Sequence, residues 1–560
     1  MEPRQTARRL LKKSLRATKS FVATIEDAQL SPTLFIATFL AIVISRILIE
    51  TVLSGFAPRS DSSFFLLFAH YFLEFLFTLL LLIPIVRRAG SVTLRAAANV
   101  SLLAFLLVLT PPITDAIISG GATLLSTYEV GSLTELFRSF IGFFDSTPDS
   151  GITYGIRLEV ALSAVGIAGY TLIRSRKRGP LRALAAAVAT YSVLFVVSTL
   201  PAWIAILFLG PSKGFLSVTG ADAIGMFFSP RQLFSLPVPS LFDATHVTMI
   251  LVYSVLLPVV VAAILFRFER TYFLALLKNV RWPQVLWHGG LLFLGGALAI
   301  VYAGTDQWLS PFELVATAVM SIAVVCAWLA SVVANDLADR RIDEVTNAKR
   351  PLPTRDIPAA LYREIGAFFF AGSILLSLSV SSKAALLILA YQGIAWIYSV
   401  PPLRLKRIPV IATLLSAAAG MTILFAGYEV ASPIASISPI PSSLLAYLFI
   451  CYAVTIPLKD FKDMEGDRKD GVITIPVLLG EERARFLVGI LLFFCYAVSP
   501  ITLHDAGLFV PAFLFASLSF LSVRRANRPG SRWGSFRSLP AWNMFFIILY
   551  GCITAVFLLN

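Results

Sequence analysis

Apolar runs close to 20 residues long alternate with short polar connections along the whole chain, from Leu34 to Leu53 near one end to Phe545 to Leu559 at the other. A helix of that length crosses the hydrocarbon of a bilayer. The pattern predicts roughly fifteen such helices. Six are expected in residues 1–270, near 31–53, 64–86, 97–118, 157–173, 183–209 and 247–266. Nine are expected in residues 271–560, near 284–303, 312–335, 359–380, 384–400, 408–427, 442–458, 486–503, 506–523 and 540–559. The predicted fold class is therefore an all-α polytopic membrane protein, a six-helix membrane domain followed by a nine-helix bundle. The segments 119–156 and 211–246 contain Gly, Ser and Pro and are long enough to hold short helices.

Composition agrees with that pattern. Of 560 residues 57% are hydrophobic and only 14% charged, and the mean hydropathy is +0.82. One water-facing core cannot absorb so much apolar surface. The net charge of +14 raises the question of nucleic acid, and the placement of the charges answers it. With the N-terminus cytoplasmic, every Lys and Arg after residue 271 except Lys383 falls on a nominal inside segment, as the positive-inside rule requires. The basic excess is topology, and no nucleic-acid partner is expected; membrane lipid is. The opening MEPRQTARRLLKKSLRATKSF is read as a cytosolic or interfacial helix rather than a removed signal peptide. Cys326, Cys451, Cys495 and Cys552 lie in or beside apolar runs without a CxxC pair, so they are read as packing residues.

In residues 1–270 the notable polar positions are Arg46 and Glu50, and His70 and Glu74, each pair four apart and so able to share a helix face. Intramembrane charge is costly and flags function. Without other chemistry nearby, ion pairs that fix packing are the favoured reading, with transport as the alternative.

The chemistry concentrates in residues 271–560. At the inner end of the second span of that half stand Asn335, Asp336, Asp339 and Asp343. On a helix Asn335, Asp339 and Asp343 fall at i, i+4 and i+8, with Asp336 three before Asp339, so oxygen ligands gather along one face. At the inner end of the sixth span Asp460, Asp463 and Asp467 fall at i, i+3 and i+7. Carboxylates crowded this way resist simultaneous ionisation unless a cation intervenes, and hard oxygen ligands with substrate phosphates are the usual setting of Mg²⁺. Basic companions follow: Lys349 and Arg350 after the first motif, Arg404 and Lys406 in YSVPPLRLKR, and Lys459 beside the second. These cations suit the non-bridging oxygens of a diphosphate. One acidic stripe alone reads as a solvated helix end; two on one side of the membrane, each followed by cations, read as a metal and diphosphate site.

Three blocks, NDLADRRIDEVTNAKRPLP at 335–353, YSVPPLRLKR at 398–407 and KDFKDMEGDRKDGVITIPVLLG at 459–480, resemble the UbiA superfamily of intramembrane prenyltransferases over roughly 280–560. The resemblance implies a nine-helix bundle with both Asp motifs at a cytoplasmic-side cavity. It implies two Mg²⁺ ions bridged by a prenyl diphosphate and held by Asn335, Asp336, Asp339, Asp343, Asp460, Asp463 and Asp467. Of these Asp339, Asp343, Asp463 and Asp467, with Tyr398, are the expected catalytic residues, and Lys349, Arg350, Arg404, Lys406 and Lys459 the expected diphosphate ligands. Some members carry YxxxK, whereas here Pro402 stands four after Tyr398. The second motif is closest in style to digeranylgeranylglyceryl phosphate and chlorophyll synthases. The expected reaction is transfer of an isoprenyl group to a lipophilic, aromatic or glycerol-phosphate acceptor by metal-assisted ionisation. The rival readings are a transporter and a CDP-alcohol phosphotransferase. The first places its sites near the midplane, and the second uses a DGxxAR-type motif that this sequence lacks.

Overall fold

The computed structural model describes residues 2–54, 61–120, 128–144, 152–174, 179–227, 232–233, 236–237, 241–303, 311–340, 343–344, 347–432, 437, 439–469, 471–528, 531 and 533–559. These residues are helical almost throughout, the exception being a two-stranded ladder of Gln232–Leu233 and Leu236–Pro237. The chain divides into two compact units. One comprises Met1–Gln232 and Pro237–Glu269, the other Leu233–Leu236 and Arg270–Asn560.

Among the described residues fourteen helices are long and apolar enough to cross a membrane, where fifteen were expected. The fifteenth, expected near 384–400, is the helix Ser382–Ser399. It opens on Ser382 and Lys383 and carries Gln392 at mid-length, which lowers its apolar character. Gln392 is buried and donates to Ser373 Oγ at 3.2 Å, so its polarity is satisfied inside the bundle.

The first unit holds six of the fourteen. Its third span is not one α-helix: Leu94–Ala104 passes through a 3₁₀ turn, Phe105–Leu109, into Thr110–Ser119. Pro111 and Pro112 supply no N–H, so the α ladder cannot run unbroken through this point. The fifth likewise breaks at Thr199, before Pro201, into Gly179–Ser198 and Leu200–Lys213. Short helices form in the long connections. Leu133–Gly142 is set by a capping box between Ser132 and Glu135, and Gly220–Phe227 follows it in the next. The basic opening segment is the helix Glu2–Glu26, whose end is tied down by Tyr170 Oη donating to Glu26 at 2.8 Å and by Asn99 donating to the carbonyl of Ile25. Arg46 pairs with Glu50 at 2.8 Å, and His70 lies 3.7 Å from Glu74. His70 also meets His246 at 2.6 Å and Tyr128 at 2.7 Å, forming a buried polar network inside this unit.

In the second unit eight spans pack around close backbone approaches. The helices Trp282–Ala303 and Pro409–Ala431 meet at Gly295 and Gly427. A Cβ on Gly295 would lie 1.8 Å from the carbonyl oxygen of Leu424, and one on Gly427 1.9 Å from that of Leu292, so neither position accepts a side chain. Gly366 of Ala359–Leu378 faces a side chain instead, that of Val333 on Pro311–Ala338, whose Cγ1 would lie 2.5 Å from an added Cβ. That contact sets Tyr362, one turn before Gly366, beside the inner end of the Pro311–Ala338 helix, where the first acidic motif begins.

Candidate active site

Helical hydrogen bonding does not stop where the Pro311–Ala338 helix formally ends. Asp339 N donates to Asn335 O, Asp343 N to Asp339 O and Asn347 N to Asp343 O, each at 2.9 Å. The register carries Asn335, Asp339 and Asp343 down one side, as their spacing requires. The second motif begins on Pro457–Asp460, a turn that restarts after Thr455 because Pro457 interrupts the preceding helix. Asp463 N donates to Asp460 O at 3.1 Å and Asp467 N to Asp463 O at 2.9 Å, so this acidic stripe also keeps its helical spacing.

Between the motifs, Ser382–Ser399 ends at Val400, and the chain turns through Arg404 into the 3₁₀ turn Leu405–Arg407. Arg404 has φ 42, in the left-handed region that a side chain makes costly. The turn delivers two cations to one carboxylate. Arg404 donates to Asp339 at 2.5 Å, and Lys406 donates to the other oxygen of Asp339 and, at 3.0 Å, to Asn335 Oδ1. Ser399 Oγ donates to the same Asn335 oxygen at 3.2 Å. The Arg404 and Lys406 side chains are 11% and 12% exposed, so these pairs lie largely out of water. Burial pulls the Lys406 ammonium below its ordinary range, with Asp339 opposing. Among the described residues the buried Arg404 Nε has no hydrogen-bond partner.

Further along the stripe Asp343 accepts from Arg350 and, at 3.0 Å, from Asn347. Burial raises its carboxyl above the ordinary range against the pull of Arg350. Asp336 differs from its neighbours. One of its oxygens accepts from Arg281 at 2.7 Å and Arg350 at 3.2 Å, the other from Asn279 at 2.8 Å and the Tyr362 hydroxyl at 2.9 Å. Four donors occupy a carboxylate that is 1% exposed. Each oxygen of Asp336 thus accepts from two protein donors, where, among the described residues, each oxygen of Asp339 and Asp343 accepts from one.

The second motif is less neutralised. Asp460 is half-buried next to Lys459, whose ammonium lies in the field of Asp460 and Asp463. Asp463 is exposed, with Lys462 at 4.0 Å. Asp467 accepts only a long bond from Thr474, 3.4 Å. Burial, and then the charges of Asp460 and Asp463, push the Asp467 carboxyl up to about 7. An acidic group with this little countercharge favours any cation that enters it.

Of the residues expected from sequence, the structure brings Asn335, Asp339, Arg404 and Lys406 into one cluster, and Asp336, Asp343 and Arg350 into an adjoining one. Asp460, Asp463 and Asp467 stay together on their helical stripe, next to Lys459 in sequence. Lys349 is exposed and, among the described residues, joins none of these ion pairs. Asn279, Arg281, Tyr362 and Ser399 were not singled out by sequence. Arg281 reads there as one more inside-facing cation, and Tyr362 as the start of a span.

Residues 290–550 match the model of the UbiA prenyltransferase family. The chain is 31% identical over 222 residues to the bacteriochlorophyll synthase 33 kDa chain of Rhodobacter capsulatus, covering 38% of this chain and 67% of that one. It is 31% identical over 200 residues to the digeranylgeranylglyceryl phosphate synthase of Methanothrix thermoacetophila, covering 34% of this chain and 69% of that one. Among solved structures, a UbiA homolog from Archaeoglobus fulgidus bound to DMAPP and Mg²⁺ aligns with a TM-score of 0.38 and 20% identity, over 50% of this chain and 99% of that one. The chain belongs to the UbiA prenyltransferase family. It is a multi-pass membrane enzyme of the prenyltransferase class.

Proposed function

We propose that residues 271–560 transfer an isoprenyl group from a prenyl diphosphate to a lipophilic, aromatic or glycerol-phosphate acceptor, in a Mg²⁺-dependent reaction at the cytoplasmic side of the membrane. The observation that carries this reading is the interleaving of acids and cations from two separated segments, 335–353 and 398–407: Asn335 and Asp339 with Arg404 and Lys406, and Asp343 with Arg350. Two cations converge on Asp339, and, among the described residues, the buried Arg404 Nε has no hydrogen-bond partner, a donor that suits an oxyanion.

The residues fit Mg²⁺ with one exception. Asn335, Asp339, Asp343, Asp460, Asp463 and Asp467 offer only hard oxygen donors, the set this ion prefers over nitrogen or sulfur. We assign them to two ions and leave Asp336 out, because its lone pairs are taken. When bound, the ions would act as Lewis acids that stabilise negative charge on the departing diphosphate.

Arg350, Arg404, Lys406 and Lys459 bind and orient the diphosphate, which competes for them with the carboxylates. The allylic C–O bond breaks with its electron pair going to the diphosphate oxygen, and the acceptor nucleophile forms the new bond at carbon and gives up its proton. The relatives are named for a glyceryl phosphate lipid and for bacteriochlorophyll, which supports a bulky lipophilic product and leaves both acceptor classes in play.

The test is mass spectrometry of lipids after the purified protein is incubated with Mg²⁺, geranylgeranyl diphosphate and a panel of aromatic, glycerol-phosphate and tetrapyrrole acceptors. A Mg²⁺-dependent prenylated product is expected. If no acceptor is prenylated and Mg²⁺ fails to promote donor binding, the reading is wrong.

A further inference from the structure

We infer that the helix and turn at Arg270–Arg281, upstream of the family-matched residues 290–550, belong to the prenyltransferase machinery, and that Asp336 is a positioning residue through which they act on Arg350. This rests on the reading of the site given above. Asn279 and Arg281 end that turn, and together they supply two of the four donors on Asp336, at 2.8 and 2.7 Å. Arg281 has φ 57, a left-handed backbone held at a residue that is not glycine. Such strain persists where the surroundings fix it. The fixing contacts are visible: the carbonyl of Val280 accepts from Trp328 Nε1 at 2.9 Å, and Ala275 packs in one cluster with Val333, Leu352, Ile357 and Tyr362. The segment is thus bound both to the helix that bears the first motif and to the stretch that follows Arg350.

The consequence falls on one guanidinium. A single nitrogen of Arg350 donates to Asp336 at 3.2 Å and also to Asp343. Asp336 cannot turn away to accept a metal without taking its acceptor oxygens from the buried Tyr362 hydroxyl and the half-buried Arg281 guanidinium, which is costly. It therefore keeps its place and holds Arg350 at a fixed distance from Asp343. With that anchor, Arg350 is retained when Asp343 exchanges it for another cation, and is then oriented toward substrate oxygens. Without it, Arg350 collapses fully onto Asp343, competes with metal there and is lost to the diphosphate.

The full-length enzyme is compared with its Arg281→Gln, Arg281→Lys, Tyr362→Phe and Asp336→Asn variants, measuring kcat, KM for geranylgeranyl diphosphate and the half-activating Mg²⁺ concentration. Arg281→Gln and Asp336→Asn are expected to raise the donor KM and the Mg²⁺ requirement together, each roughly tenfold or more, the scale of one charge-assisted hydrogen bond. Arg281→Lys should recover part of both. Tyr362→Phe, which removes one hydroxyl from a packed ring, should shift them in the same direction by less and serves if the charge variants fail to fold. A merely structural role would lower kcat through the active fraction and leave both other quantities unmoved. If Asp336 were a metal ligand, removal of its rival Arg281 would leave the Mg²⁺ requirement unchanged or lower it. Either pattern overturns the inference. A wild-type enzyme that neither binds nor turns over the donor with Mg²⁺ overturns the underlying reading instead, and the inference falls with it.

Discussion

The substitution Asp467→Asn separates chemistry from stability better than any other in the site. Asp467 is half-buried, and among the described residues its one side-chain hydrogen bond is the long contact with Thr474, 3.4 Å. The amide keeps the shape and can keep that bond, so the folding cost stays below about 1 kcal/mol and the thermal midpoint should fall by no more than about 2 °C. Its carboxyl is also pushed up to about 7 by burial and by Asp460 and Asp463, so neutralising it relieves repulsion within the motif. The fold therefore has little reason to resist the change. Transfer does have a reason, because the second motif falls from three acids to two and loses an oxygen donor that carries charge. If Asp467 holds metal, the loss of that stabilisation is worth several kcal/mol, and about 4 kcal/mol corresponds to roughly a thousandfold in kcat/KM. The assay pairs Mg²⁺-dependent prenyl transfer with thermal unfolding in detergent. Near-wild-type turnover with an unchanged Mg²⁺ requirement would remove Asp467 from the ligand set.

Three other outcomes are expected. Asp339→Ala should abolish transfer and also destabilise the protein by about 3–5 kcal/mol, because Arg404 and Lys406 lose their common counter-ion inside a largely buried site; unfolding no earlier than in Asp467→Asn would refute this pairing. Arg404→Gly should leave the thermal midpoint near that of wild type, since relief of the left-handed strain at φ 42 offsets part of the lost ion pair, yet raise the donor KM at least about tenfold through the lost guanidinium. An unchanged KM would take Arg404 out of the diphosphate site. Single cysteines placed at the exposed positions 349 and 463 should react with a membrane-impermeant thiol reagent from one side and a cysteine at 383 from the other; labelling of 349 and 463 from opposite faces would separate the two acidic motifs and end the proposal.

Where the sequence carried the fold, it did so through length and apolarity, because the bilayer forces each crossing to be a continuous apolar helix. Its errors are local and have local causes. Pro111 with Pro112, and Pro201, split spans that the hydropathy pattern joins, and Lys383 and Gln392 weaken a helix that the bundle nonetheless builds. The close passage of Gly295 and Gly427 is not legible at all, since each of those glycines resembles many others until the opposing carbonyl is in place.

The site shows the same division more sharply. Spacing on one helix fixed the stripe of Asn335, Asp339 and Asp343, and the backbone bonds keep that register past the end of the assigned helix. Spacing did not separate Asp336 from them, and on geometry alone it had no means to. At about 100° per residue Asp336 and Asp343 lie within about 20° of each other around the axis, which is why Arg350 can span both. What divides them is the company each keeps. Asn279, Arg281 and Tyr362 reach Asp336 from residues 57, 55 and 26 positions away in sequence, along paths set by Gly366 and by the turn at Val280. An acid's role depends on whether its lone pairs are already committed, and that commitment comes through tertiary contacts. Motif reading can therefore name the acids of such a site while leaving open which bind a metal and which hold the cations in place.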